Sequence, residues 1–191
     1  MLGQLHGQAV TPPIYEKMDM FCKTYRMRLS HLNKMTGAHP MKIAIAAIVA
    51  RNTKSGTASP EAMFAEYVQR IARYMPVEAH RFLTETALLA WLDQPVGRTA
   101  PHIVLLDSRG KQFSSEDIAA HIGRVRDSGV QQLIFAVGPA DGWSPVARTR
   151  AGTLLSFGPI TLPHELARVV LAEQVYRALT ILAGHPYHSA H

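Results

Sequence analysis

Short apolar runs alternate along the chain with segments whose apolar residues follow helical spacing. The runs that predict strands are Lys42 to Ala50, Val77 to Phe82, His102 to Leu106, Gln132 to Val137 and Thr153 to Ser156. Strands of this kind, separated by helices, favour a parallel sheet that is covered on both faces. The pattern therefore predicts an α/β fold.

Capping residues mark where the intervening helices begin. Ser59 precedes a proline and an acid, Ser114 precedes a second acidic first turn, and Pro163 opens the longest helix. The helices predicted in this way follow Ser59, span Thr84 to Leu92, run from Ser114 to Gly129, lie near Ser144 to Arg150, and run from Pro163 to about Ala183.

Three turns follow the predicted strands: Asp107 to Gly110, Gly138 to Gly142, and Phe157 to Pro163. Ligands of parallel sheets bind at the carboxyl ends of the strands, so we expect the chemistry there. The Gly138 turn has neither a dinucleotide fingerprint nor a phosphate loop, and taken alone it is a plain connector. The third turn is stiff, and its main chain could hydrogen-bond an adenine, with Ile160 and Leu162 as an apolar slot.

Residues 1–40 differ in pattern from the rest of the chain. They have no sustained apolar period, and Pro12 and Pro13 interrupt them. This composition predicts a flexible extension over 1–40 and a compact domain over 41–191. A short helix around Tyr15 to Leu32 is the alternative.

Composition narrows the class of protein. Apolar residues make up 47% of the 191 residues, enough for a core, and the longest apolar run is too short to cross a membrane. A single cysteine, Cys22, and no recognisable signal segment predict a cytoplasmic protein. The net charge of +6, shared equally between residues 1–40 and the rest, suits a phosphate-rich partner but is weak support for one.

The order of several segments carries a resemblance to a known family. These segments are Leu105 to Lys111, Phe135 to Gly138, Ile160 to Leu166, Arg168 to Ala178, and His185 to His188. Together they resemble the RlmH family of 23S ribosomal RNA pseudouridine-N3 methyltransferases, within the SPOUT class. The resemblance covers residues 41–191 and is most specific over Thr161 to Ala178 and in the Pro-Tyr-His ending.

The resemblance implies a SPOUT-type parallel sheet whose C-terminal segment forms a deep trefoil knot, an exception to the usual unknotted topology. It also implies a homodimer that binds S-adenosyl-L-methionine where two knotted regions meet, requires no metal, and acts on the assembled ribosome. The residues that would line the cofactor pocket are Leu106, Gly138, Gly158, Pro159, Ile160, Thr161, Leu162 and Pro163.

Three residues are the candidates for catalysis. The resemblance implies that Tyr187 and His188 reach the RNA, at the partner subunit's site. The imide nitrogen N3 must lose its proton, so His188 is the first candidate for a base and Arg177 for a charge stabiliser. Arg177 also lies four residues after Glu173, a spacing that equally predicts a helical ion pair. For His164 we favour a structural hydrogen bond over catalysis.

Two departures from the family pattern leave alternatives open. Pro139 stands where a second glycine is usual, and it removes an N–H that could bind the cofactor. Ser189 replaces a basic residue after His188. The alternatives are a SPOUT homologue that binds ribosomes without methyl transfer, or methylation at another RNA site. The third alternative is a protein that binds a metal ion through His185, His188 and His191.

Overall fold

A sheet of five parallel strands forms the centre of the protein in the computed structural model, which describes residues 22–31, 41–49, 60–94, 98–185 and 187. The strands are β1 (Lys42–Ile48), β2 (Val77–Phe82), β3 (His102–Gln112), β4 (Gln132–Val137) and β5 (Thr153–Ser156). Their order is β2-β1-β4-β3-β5, and every neighbouring pair is parallel. The α/β prediction is confirmed, while the C-terminal knot stays a prediction.

Helices cover both faces of this sheet. They are α1 (residues 22–31), α2 (Pro60–Ala72), α3 (Glu85–Leu92), α4 (Ser115–Asp127), α5 (Pro145–Arg150) and α6 (His164–Leu182). Their beginnings follow the sequence signals. Ser114 forms a capping box with Asp117 before α4, and the Ser144 hydroxyl accepts a hydrogen bond from Ala147 N before α5.

Alternate residues of the central strands supply two separate cores, because successive side chains of a strand point to opposite faces. In β1, Ile43 and Ile45 pack with α1, α2, α4 and α6, whereas Ala44 and Ala46 pack with α3 and α5. The same alternation continues in β4. Burial on both faces explains why these strands are apolar at almost every position.

Strand β3 is longer than the sequence predicts. We expected a turn at Asp107 to Gly110, but the strand continues to Gln112 and pairs again with β5 after a register shift between Leu106 and Lys111. Gly110 permits this approach, because a Cβ there would lie 2.6 Å from the main-chain carbon of Leu154. The turn signal was wrong since the glycine serves a close contact between strands rather than a reversal.

Part of the N-terminal extension lies within the described residues. Residues 22–31 are helical, which agrees with the short helix considered as the alternative for this stretch. Cys22 and Tyr25 are buried against the core that contains α6. The structure of the remaining residues in 1–40 lies outside the described part, and the boundary at residue 40 stays a prediction.

A buried arginine anchors helix α6 near its beginning. Near its beginning, the buried Arg168 donates hydrogen bonds to Glu61 Oε2 of α2 (3.0 Å) and to Glu165 Oε2 (2.8 Å). The guanidinium also lies 4.4 Å from the centre of the Phe64 ring. These contacts fix α6 against α2, so the residues at the two ends of α6 have defined positions.

Candidate functional site

A cavity of about 430 Å³ lies at the carboxyl ends of β3, β4 and β5. Its walls come from the second half of β3, from the loop between β4 and α5, and from the loop between β5 and α6. His164 and Ala167, in the first turn of α6, close another side. This is the edge of the sheet where the sequence predicted the chemistry.

Most residues predicted to bind the cofactor line this one cavity. They are Leu106, Gly138, Gly158, Ile160, Thr161 and Leu162. Pro159 and Pro163 belong to the same loop but are not among the lining residues. Residues more than 50 positions apart in the chain thus meet around one space, and their binding role stays a prediction.

The loop from Phe157 to Pro163 leaves main-chain groups available to a ligand. Gly158 has a φ of 97°, which favours glycine, and its N–H donates to Ser156 Oγ at 3.1 Å. The N–H groups of residues 160–162 make no hydrogen bond within the described part of the chain. Ile160 is 65% exposed. The loop therefore offers amide donors beside an uncovered apolar side chain.

Position 138 requires a glycine because the neighbouring Trp143 ring leaves no room for a side chain. A Cβ at this position would lie 2.7 Å from Cε2 of Trp143, which is nearly fully buried. The Trp143 indole N–H donates to the Leu106 carbonyl at 2.8 Å and so joins the β4 loop to β3. The absence of a side chain at Gly138 thus lets Trp143 brace two walls of the cavity.

A charged pair lies in the wall of the same cavity. Asp107 Oδ2 accepts a hydrogen bond from Arg148 Nε at 2.6 Å, and Oδ1 accepts one from Arg109 N at 2.9 Å. Burial opposes ionisation of this carboxyl, but the bonds from Arg109 and Arg148 outweigh it and hold the pKa of Asp107 below its usual range. Asp107 is therefore an anion at neutral pH.

His164 contributes a neutral imidazole to the cavity. Burial lowers its pKa, and the charge of Arg168 lowers it further, against the opposing effects of Glu165 and the main chain of Gly138. The Nε2 atom of His164 is buried without a hydrogen-bond partner among the described residues, so the structural hydrogen bond expected for this side chain stays a prediction. The imidazole is uncharged at neutral pH.

Arg177 and Tyr187, two of the three candidate catalytic residues, lie outside the cavity. Arg177 donates from Nε to Glu173 Oε1 at 2.9 Å, which confirms the predicted helical ion pair. Its guanidinium lies 5.1 Å from the centre of the Tyr187 ring, and Tyr187 N donates to His185 Nδ1 at 3.0 Å. Neither Arg177 nor Tyr187 lines the cavity, and His188 lies outside the described residues.

Asp107, Trp143 and Arg148 line the cavity but were not among the residues predicted to bind the cofactor, although chemistry was expected at the turn that begins with Asp107. Asp107 had a usable signal, because an acid that follows the apolar run His102 to Leu106 lies towards the carboxyl edge of a parallel sheet. Arg148 and Trp143 had none, since only the tertiary fold brings them to β3.

Neither a metal site nor a membrane span is found among the described residues. In that part of the chain no group of three or more histidine, cysteine or acidic side chains is arranged to hold a metal ion. His188 and His191 of the alternative metal reading lie outside it. Within the same limits, every helix is too short or too polar for a membrane span.

Several proteins of known family are similar to this chain. A protein of Koribacter versatilis named ribosomal RNA large subunit methyltransferase H is 51% identical over 138 residues, which are 72% of this chain and 94% of the relative. A protein of the same name from Brucella anthropi is 57% identical over 86 residues, or 45% of this chain and 54% of the relative. The chain thus matches about half the length of the Brucella protein.

Solved structures show weaker likeness. A SpoU methyltransferase from Streptomyces viridochromogenes, in complex with AdoMet, has a TM-score of 0.39 at 13% identity and covers 73% of this chain and 58% of its own. A structure concerned with 2-OH methylation on tRNA has a TM-score of 0.40 at 16% identity, with 74% and 99% covered. Both scores are low, so the assignment depends on the sequence matches.

The family described as predicted SPOUT methyltransferase matches residues 41–188, a range that contains the whole sheet, the cavity and α6. Together with the high identity to the Koribacter relative over nearly all of that protein, this match shows that the chain belongs to the SPOUT methyltransferases, in the family of ribosomal RNA large subunit methyltransferase H.

Proposed function

We propose that the protein transfers a methyl group from S-adenosyl-L-methionine to N3 of a pseudouridine in 23S ribosomal RNA, on the assembled cytoplasmic ribosome. The observation that carries this proposal is the convergence of the second half of β3 and the loops after β4 and β5 on the cavity of about 430 Å³. The names of the Koribacter and Brucella relatives support ribosomal RNA as the substrate.

The residues of the cavity fit the proposed cofactor. The amides of residues 160–162 suit the edge of an adenine, and Ile160 and Leu162 supply apolar contact for its faces. Asp107 and Arg148 offer opposite charges to an amino-acid group. When bound, S-adenosyl-L-methionine supplies an electrophilic methyl group on sulfur. The task of the protein is then to align this carbon with the nucleophilic nitrogen.

The acceptor side of the reaction is assigned to His188, Tyr187 and Arg177. His188 takes the proton from N3, and Arg177 stabilises the negative charge that develops on the imide. Glu173 orients the Arg177 guanidinium, which in turn covers the Tyr187 ring. Arg177 follows Ala167, a residue of the cavity, by ten positions, or about 15 Å along a helix.

That separation supports a homodimer. Within one subunit, the cofactor cavity lies at the beginning of α6, and the acceptor residues follow from Arg177 onwards. A second copy is proposed to bring its acceptor residues to the cofactor cavity of the first. Mixing two inactive variants tests this. His188→Ala removes the proposed base, and Leu162→Asp places a charge in the cofactor cavity. We expect a mixture of the two variants to regain part of the methyl-transfer activity. No recovery in dimers that contain both variants, isolated by two different affinity tags in succession, would contradict shared sites.

The function itself is tested in two steps. Calorimetry measures binding of S-adenosyl-L-methionine, and mass spectrometry of 23S ribosomal RNA detects methylpseudouridine after incubation with ribosomes that lack it. We expect binding and one methyl group per ribosome. His188→Ala should bind the cofactor normally but methylate at least 100-fold more slowly, about the low end of what a positioned base contributes. Full turnover by His188→Ala would remove this residue from the mechanism.

Pro139 gives a specific reason to keep a second candidate, a homologue that binds ribosomes without methyl transfer. Pro139 lines the cavity and has no N–H to offer. Its carbonyl accepts from Gly142 N at 3.0 Å, so the turn itself is intact. If calorimetry detects no cofactor binding at millimolar concentration while ribosomes still bind, this candidate replaces the enzyme.

A further inference from the structure

A second cavity, of about 380 Å³, lies far from the first, between α1 and the ends of α4 and α6. We call it the α1 cleft. Its lining residues are Thr24, Tyr25, Arg28, Leu29, Arg126, Leu182 and Ala183. Ala167 lines the first cavity and Ala183 lines this one, and 16 residues of helix correspond to about 24 Å.

The α1 cleft is positively charged. Its lining contains two guanidinium groups and no carboxylate. Arg126 donates from Nη1 to the Tyr25 hydroxyl at 3.2 Å and from Nε to Asp127 at 2.8 Å, so its position is fixed. Arg28 is exposed and forms no ion pair with any described residue. Lys23 and Arg26, on the same helix, are exposed as well.

A series of tyrosine rings joins this cleft to the proposed acceptor residues. The ring centres of Tyr25 and Tyr74 are 5.9 Å apart, those of Tyr74 and Tyr176 are 6.0 Å apart, and those of Tyr176 and Tyr187 are 5.0 Å apart. Helix α1 and Tyr187 therefore pack on one aromatic cluster. Tyr25 of α1 and Tyr187 thus pack against the same core, on the α6 face of the sheet.

We propose that the α1 cleft binds a backbone phosphate of the ribosomal RNA substrate, with Arg28 and Arg126 as the cationic groups and the Thr24 hydroxyl as an additional donor. This inference rests on the proposed function, since it assumes an RNA substrate. Charge complementarity selects the occupant. The lining holds no acid, and although Arg126 already pairs with Asp127, the exposed Arg28 guanidinium has no ion pair among the described residues and suits a phosphodiester. Helix α1 lies outside residues 41–188, so this contact is an addition of this chain to the family's domain.

Arg28→Ala in the full-length protein tests the proposal. The measurement is KM and kcat for methylation of ribosomes that lack the modification, over a series of KCl concentrations at fixed Mg²⁺. We expect KM to rise about threefold at moderate salt with kcat unchanged, and the slope of log affinity against log salt to weaken by about 0.7 to 0.9. Arg28→Lys should remain close to the unmodified protein, because it keeps the charge.

Arg150→Ala is the matched control. It removes the same charge from α5, on the opposite face of the sheet, where Arg150 pairs with Asp93. We expect no change in KM or in the salt slope. Equal thermal unfolding midpoints for all variants would show that Arg28 is not needed for folding, as its exposure suggests.

Three outcomes would overturn the proposal. The first is an unchanged KM and salt slope in Arg28→Ala while the unmodified protein methylates ribosomes, which leaves the proposed function intact. The second is a raised KM with an unchanged salt slope or a changed oligomeric state, which would make Arg28 a structural or subunit contact. The third is failure of the unmodified protein to bind ribosomes at all, which rejects the proposed function together with the cleft.

Discussion

The Arg148 guanidinium donates a 2.6 Å hydrogen bond to the Asp107 carboxylate in the wall of the larger cavity, and the Asp107 side chain is only 3% exposed. A second aspartate, Asp93, pairs with Arg150 two residues further along α5, but its side chain is 63% exposed. The arginines of both pairs lie on α5, and each binds an aspartate. The pairs differ because the Asp107 carboxylate is buried and the Asp93 carboxylate is exposed. They form a natural comparison of what a buried charge contributes.

The first prediction compares Asp107→Asn with Asp93→Asn. We expect Asp107→Asn to lower the free energy of unfolding by about 2 kcal/mol, because Arg148 loses its anionic partner in a buried setting. Asp93→Asn should cause no measurable change, since water and salt screen an exposed pair. Urea unfolding at neutral pH measures both. Equal effects of the two substitutions would show that burial does not decide the difference.

The second prediction concerns Gly138. Gly138→Ala places a methyl group within 2.7 Å of the Trp143 ring, which has no free space because it is buried and bonded to Leu106. We expect a loss of about 2 kcal/mol in the free energy of unfolding and weaker cofactor binding, since Trp143 braces two walls of the cavity.

Gly123→Ala is the control for this substitution. Gly123 lies inside α4, and a Cβ there would be 3.4 Å from Cδ2 of Leu182, an ordinary contact. Alanine is the better helix former, so Gly123→Ala should be neutral or stabilise the protein by up to about 1 kcal/mol. Thermal unfolding separates the two variants. A stable Gly138→Ala protein with unchanged cofactor affinity would mean that Trp143 moves without consequence.

The third prediction tests the loop between β5 and α6. Ile160 is exposed beside the free amides of the loop, so Ile160→Ser should leave folding unchanged and weaken S-adenosyl-L-methionine binding about fivefold, which corresponds to about 1 kcal/mol of apolar contact. Val146→Ser is matched to it, because Val146 is similarly exposed but lies on α5 outside the cavity lining. Calorimetry measures the affinity of both variants for S-adenosyl-L-methionine. Equal affinities of Ile160→Ser and Val146→Ser would show that Ile160 is not part of the proposed adenine slot.

The fourth prediction concerns pH. Burial lowers the pKa of His121 to about 4, and the nearby His102 and Arg124 lower it in the same direction. The ring of His121 lies 5.0 Å from that of His102 and 5.9 Å from that of Phe113. In the unfolded chain the pKa of a histidine is about 6.5. Between these values the unfolded state binds more protons, so stability present at neutral pH is lost as the pH falls towards 4.

His121→Gln isolates this effect from the titration of carboxylates. We expect the unmodified protein to lose about 2 kcal/mol more than His121→Gln between about pH 7 and about pH 4.5, because glutamine does not take up a proton. Urea unfolding at the two pH values provides the comparison. The same pH dependence in both proteins would show that His121 is protonated in the folded state without cost.

Much of the candidate site could be anticipated because its residues follow the strands directly. Gly138 comes one residue after β4, and Gly158 to Leu162 lie between β5 and α6, so the parallel arrangement brings them to one edge. Arg148 could not be anticipated, since its contact with Asp107 spans 41 residues. The order of the strands places α5 beside β3, and no local signal reports that order.

The local elements of this protein follow from its sequence alone, because capping and burial patterns act over a few residues: Ser114 begins α4, Ser144 begins α5, and β4 is apolar since both of its faces are covered. Tertiary contacts, by contrast, set the continuation of β3 through Gly110 to pair again with β5, and the position of Arg28 and Arg126 in one cleft. Both depend on contacts between segments distant in the chain, whose free energies come from packing and charge and not from local preference.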